Sequence, residues 1–173
     1  MNRCLLLLFC LLVGITGVVR AETLGGHVDA VVDGDTLRVD VPGRGQLQVR
    51  VAWIDAPARL QEQGEAARSS LGALAFGRAV LLENPQQSGH EWRAVVRVAP
   101  PGGRCGNADC PPTLDLGLAQ VERGMAWHDQ RSPGQPAAAL ADYQQAEFTA
   151  KIRRLGLWAG KNPLPPWEWR GPR

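Results

Sequence analysis

Outside its N-terminal run, this chain of 173 residues carries one pair of cysteines, Cys105 and Cys110. It has three widely separated histidines, His27, His90 and His128. A structural zinc centre, which takes four such ligands, would need His90 or His128 to join that pair. In an exported chain the close pair reads instead as a disulfide. It would close a six-residue loop and contribute about 2 kcal/mol by the chain-entropy argument. The chain also lacks an apolar run of the ~20 residues that a spanning helix requires. Its long apolar stretch, Cys4 to Val19, covers 16 residues, behind the basic head Met1-Asn2-Arg3 and ahead of Val19-Arg20-Ala21. Small residues at the two positions read by a signal peptidase make residues 1–21 an expected secretory leader, cleaved after Ala21. Removing Arg3 and Arg20 from 19 basic residues leaves 17, equal to the 17 acidic ones. Without net charge there is no global pull on a polyanion, so nucleic-acid binding would have to be local. Six basic residues against Glu168 alone between Lys151 and Arg173 read as a solvated tail. There is no internal repeat and no second domain. Residues 22–173 form one unit ending in a Pro/Trp-rich segment, 161–173.

The pattern along that unit is mixed. Val28–Val32, Leu37–Val41, Leu47–Ile54, Ala79–Leu82 and Arg93–Val98 read as strands, with apolar and polar residues alternating in the second. Asp33-Gly34-Asp35 is a tight connection in which Gly34 is free to take positive φ. The third strand is expected to keep Leu47, Val49, Val51 and Trp53 on one face. Gly64–Phe76, Leu114–Arg123 and Ala137–Arg154 read as helices. Their apolar stripes include Ala67, Leu71 and Leu74 in the first and Leu140, Tyr143, Glu147 and Ala150 in the third. Asp115 sits at the favourable end of the second. The prolines from Pro163 to Pro166 bar a helix in the tail. Five strands with an inserted helix predict a small antiparallel barrel in an α+β fold.

Two acidic motifs carry the chemistry. Val31-Val32-Asp33-Gly34-Asp35-Thr36 and Arg50-Val51-Ala52-Trp53-Ile54-Asp55-Ala56-Pro57 place carboxylates at strand ends, with Arg50 five residues before Asp55. Oxygen ligands for a hard cation beside a guanidinium for phosphate point to phosphodiester chemistry. Alone, each piece has a plainer reading, as a hairpin turn or a rim charge. Together with Arg93 opening a strand, they resemble the staphylococcal nuclease family. So do Leu118-Ala119-Gln120-Val121-Glu122-Arg123-Gly124-Met125-Ala126-Trp127, the run from Glu147 to Trp158, and Pro165-Pro166-Trp167-Glu168-Trp169-Arg170. The resemblance spans residues 26–170. It implies an OB-fold-type five-stranded β-barrel with three α-helices, and hydrolysis of DNA or RNA with bound Ca2+. It matches Asp35, Asp55 and the carbonyl of Ala56 to the calcium ligands, leaves Asp33 beside them, and matches Arg50 and Arg93 to the residues that grip the scissile phosphate. Single-stranded or flexible nucleic acid, a monomeric state, and a periplasmic or extracellular location complete the expectation.

The chain departs from the family at two places. A glutamate acting as general base is expected directly after Asp55-Ala56-Pro57, and Ala58 stands there. Loss of a positioned base costs on the order of 10²–10⁴ in rate. Glu62 or Glu65 could substitute, hydrolysis could proceed slowly with unassisted water, or the domain could bind without cutting. His128 is a more remote substitute. Around the second arginine, Glu91-Trp92-Arg93 replaces Tyr-Gly-Arg. Trp92 could stack on a base or pack on the barrel, and Glu91 brings negative charge close to a phosphate site. Arg97 is the less favoured alternative to Arg93. Trp127, Trp158, Trp167 and Trp169 are expected to be structural, with the tail pair laid back on the domain.

Overall fold

The computed structural model describes residues 22–102 and 110–171. The expected leader and Cys105 lie outside the described residues. β1 (Thr23–Val31) pairs antiparallel with β2 (Thr36–Val41), and β2 with β3 (Gly45–Val51). On its other edge β1 pairs with β5 (Ala79–Ser88), which pairs with β6 (Glu91–Val98). β6 then lies parallel to β3, Gln48 to Val51 opposite Glu91 to Ala94, and closes a five-stranded barrel. Closure removes the open edges that would otherwise invite pairing with another chain. The alternation in β2 is real: Leu37, Val39 and Val41 face the core, Arg38 and Asp40 face solvent. Val28, Val49, Leu82, Val96 and Val98 fill the barrel with them.

Three α-helices are found among the described residues: α1 (Gly64–Ala75), α2 (Leu116–Glu122) and α3 (Ala137–Arg153). α1 buries Ala67, Leu71 and Leu74, the expected stripe. α3 buries Tyr143, Ala146 and Ala150. Glu147 is drawn to that face because its carboxylate accepts the amide of His128 at 3.2 Å.

Four local expectations need correction. Gly34 does not have positive φ. It is required by contact instead, since a Cβ there would lie 2.6 Å from the Cβ of Ala67 and 2.7 Å from that of Ala56. The third strand stops at Val51, because Trp53 takes φ 63° and turns the chain. Its carbonyl accepts the amide of Asp129 at 2.8 Å, and its ring meets Tyr143 edge-on at 5.9 Å. Ile54–Asp55 (β4) therefore pairs with Trp127–His128 (β8) in a separate two-stranded ladder. The fourth barrel strand runs on past Leu82 through an irregularity between Glu83 and Gln86. Asn84 at φ 50° makes a bulge there, which tolerates Pro85 where a regular ladder would not. Finally, Leu114–Asp115 (β7) pairs with β6, so α2 begins two residues late. In the tail, Pro166–Glu168 forms a single 3-10 turn, in which a proline at the first position costs no hydrogen bond.

Candidate functional site

At one end of the barrel, three strand termini bring Asp35, Arg50 and Asp55 together. Asp35 precedes β2 and Arg50 lies opposite Thr36 on β3. Asp55 arrives on β4, aimed inward by the turn at Trp53. Nη2 of Arg50 donates to Oδ2 of Asp35 at 3.0 Å and to Oδ1 of Asp55 at 2.8 Å. Both carboxylates are nearly closed to solvent, at 2% and 6% exposure. Such a pair is sustained only where hydrogen bonds satisfy its oxygens. Oδ2 of Asp35 also accepts the amide of Ala56 at 2.9 Å, and Oδ1 accepts the Thr36 hydroxyl at 2.8 Å. Asp33 holds the loop by accepting the amide of Asp35 at 3.1 Å.

Burial pushes the Asp35 carboxyl up to about 7, with Arg50 pulling against it and Asp33 adding to it. Burial lowers the Arg50 guanidinium, but Asp35, Asp55 and Glu91 outweigh that and leave its pKa above the ordinary value. Two desolvated carboxylates with one guanidinium between them favour an additional positive charge. The donors are hard oxygens, which suit calcium. Among the described residues no three Asp, Glu, His or Cys side chains converge on one point, so water and substrate oxygens would have to complete a six-to-eight-oxygen shell.

Arg93 is Arg50's register partner across the parallel pairing of β3 and β6. Its Nη1 donates to Oγ of Ser132 at 2.8 Å, at the rim of a cleft of about 200 Å³ lined also by Trp53, Asn84 and Pro133. A further guanidinium reaches one of these carboxylates: Nη2 of Arg131 lies 3.4 Å from Oδ2 of Asp55.

A family profile described as staphylococcal nuclease homologue matches residues 48–160. The chain is 34% identical to the micrococcal nuclease of Shigella flexneri over 84% of its own length and 79% of that protein's. It is 32% identical to protein ParB of Escherichia coli, over 85% and 79%. It is 28% identical to an uncharacterised endonuclease of Haemophilus influenzae, over 83% and 71%. The chain belongs to the staphylococcal nuclease family.

Within this staphylococcal nuclease fold, Ala58 directly follows the Asp55-Ala56-Pro57 motif. Ala58 is buried, at 9% exposure. Its amide donates to the side chain of Gln61 at 3.1 Å and its carbonyl accepts the Gln61 amide at 2.8 Å. Glu65 is engaged by Arg68 at 2.8 Å and Arg59 at 3.7 Å. Glu62 lines a groove against Leu164 and Trp169 in the tail. Glu65 is thus held by arginines on the helix surface, and Glu62 faces the tail groove. Trp92 packs against the hydrophobic core of the barrel, with the Arg44 guanidinium 5.5 Å from its ring centre, and Glu91 accepts from Gln48 at 3.4 Å. Arg97 pairs with Glu83 at 2.8 Å. His128 is buried, with Nε2 at 2.8 Å from Gln135.

Sequence reasoning missed three contributors. Arg131 and Ser132 sit in a turn that carries no motif. Gln120, within the second-helix motif, is fully buried. It donates to the carbonyls of Gly34 at 2.8 Å and Ala67 at 3.0 Å and accepts from Ser70 at 2.7 Å. That polar residue tacks the Asp33–Asp35 loop to both α1 and α2. A lone glutamine among apolar neighbours was the available signal.

Proposed function

We propose that this chain is an exported nuclease that hydrolyses phosphodiester bonds of single-stranded or flexible DNA or RNA with bound calcium, at a rate lowered by Ala58. The buried Asp35–Arg50–Asp55 clasp carries this reading, because its carboxylate oxygens suit a hard cation and its guanidinium suits a phosphate. Calcium, when bound, supplies positive charge that lowers the barrier to phosphoryl transfer. Asp35 and Asp55, with the Ala56 carbonyl, would hold it. Arg50 is pre-aimed by its two carboxylates and offers its remaining N–H groups to phosphate oxygens. Arg93, held by Ser132, is the second candidate guanidinium. Both would meet the extra negative charge of the transition state without reorganising.

With Ala58 after the Asp55-Ala56-Pro57 motif and Glu65 paired with Arg68, water would attack without a side-chain base at position 58. The same observation favours a second reading, a domain that binds nucleic acid without cutting it. The leader at residues 1–21, the Cys105–Cys110 bridge, a monomeric state and a periplasmic or extracellular location belong to the same proposal.

The deciding experiment is cleavage of single-stranded DNA by the purified chain, with calcium, with chelator, and with Asp35→Ala. Calcium-dependent cleavage abolished by Asp35→Ala establishes the enzyme. Oligonucleotide binding without cleavage above the Asp35→Ala background establishes the binding module.

A further inference from the structure

Arg131 is built into this site by the C-terminal tail. Its Nε donates to Oδ1 of Asp129 at 2.6 Å. Its guanidinium lies over the ring of Trp167, 4.2 Å from the centroid. Trp167 is in turn set edge-on against Trp127 at 6.3 Å, and Trp127 is the β8 residue paired with Asp55. The same turn supplies Ser132 to Arg93. One short segment thus reaches both the carboxylate clasp and the second arginine.

The hold on Arg131 is unequal. The bond to Asp129 is short, as a charge-assisted bond should be, whereas the 3.4 Å approach to Asp55 is long for one. The side chain remains 56% exposed, although it stands beside carboxylates that are almost wholly buried. Stacking on indole fixes the plane of a guanidinium while leaving its edge for a ligand. An arginine anchored by Asp129 and Trp167, with its edge open beside a buried phosphodiester-type site, has the form of an anion contact.

We propose that Arg131 is a substrate-binding residue that takes a backbone phosphate of the polynucleotide next to the one being cleaved, and that Trp167 is the residue that positions it. The inference rests on the nucleic-acid reading above. It assigns the Trp-rich tail a part in substrate selection: a polynucleotide gains from Arg131, and a substrate with one phosphodiester does not.

The test measures binding of a short single-stranded phosphorothioate oligonucleotide, which resists cleavage, in calcium across a range of salt. Each phosphate contact on a single strand contributes about 0.7 to the slope of log affinity against log salt. Arg131→Ala is expected to weaken binding roughly ten-fold, the scale of one charge-assisted hydrogen bond, and to reduce the slope by about 0.7. Arg131→Gln keeps length and hydrogen bonding without charge, and gives the same reading should the alanine variant fail to fold. Arg131→Lys keeps the slope. Trp167→Ala weakens binding several-fold, and Trp167→Phe restores most of it. A native slope in Arg131→Ala or Arg131→Gln, or native affinity in Trp167→Ala, overturns the assignment while leaving the nuclease reading intact. Absence of binding by the native chain overturns both.

Discussion

Asp35 owes its place to its neighbour. Gly34 lies against the methyls of Ala67 and Ala56 so closely that an added methyl would meet both, and its carbonyl is held by Gln120. Gly34→Ala is therefore expected to destabilise the fold by about 1–3 kcal/mol, the usual cost of overpacking. It should also cut nuclease activity, since the loop that shifts is the one that aims Asp35; urea unfolding and a cleavage assay check the two halves. Ala58 offers the opposite experiment. Its Cα is held through both the amide and the carbonyl by Gln61, so a longer side chain would leave from a fixed point. Ala58→Glu is expected to raise cleavage of single-stranded DNA at least ten-fold, part of the roughly 10²–10⁴ that a fully positioned base contributes. An unchanged rate would place the limitation in the carboxylate clasp instead. The clasp residues could be read from the chain because Asp35, Arg50 and Asp55 belong to short local motifs. Arg131 and Ser132 could not: their partners lie 76 and 39 residues away, and only the folded chain brings them near.

At the scale of elements, one carboxylate joins two helices. Oδ1 of Asp115 accepts the amides of Gly117 at 2.9 Å and Leu118 at 3.2 Å, and the Tyr143 hydroxyl at 2.9 Å. It thereby caps α2 and ties α3 to it. Burial, with Asp115 beside it, raises the Tyr143 phenol far above its ordinary value, so that phenol stays a donor. Asp115→Ala removes a cap and strands a buried hydroxyl, for an expected loss of about 2–4 kcal/mol in urea unfolding. Tyr143→Phe, which removes donor and need together, is expected to cost nearer 1 kcal/mol. Helix and strand positions were legible from periodicity because each element has one apolar face. Element ends were less so. A capping aspartate has extended dihedrals, which cut α2 short. Positive φ at Trp53 and Asn84 is demanded by tertiary packing and has no local signature in a tryptophan.

At the scale of the molecule, the tail is a strap. The side chain of Gln61 donates to the Leu164 carbonyl at 2.5 Å, and the rings of Trp158 and Trp167 both pack edge-on against Trp127. Removing residues 161–173 strips one of those aromatic pairs and the Gln61 contact. At about 1 kcal/mol for the ring pair beyond its buried area, plus about 1 kcal/mol for the lost hydrogen bond, the melting midpoint is expected to fall by roughly 4–8 °C, read by thermal denaturation. The barrel could be foreseen from five strands and an inserted helix. Its manner of closure could not, because no local pattern announces that two strands distant in the chain will run parallel.

That closure has a kinetic consequence. Arg50 and Arg93 meet only through the parallel register between β3 and β6, a pairing of high sequence separation, and such pairings form late because their loop entropy must be overcome first. A chain that has made its hairpins and helices but has not closed the ring carries the acidic motifs with its two arginines still apart. Recovery of cleavage during refolding is thus a clock for the final sealing of the ring, and it lags the return of helical signal.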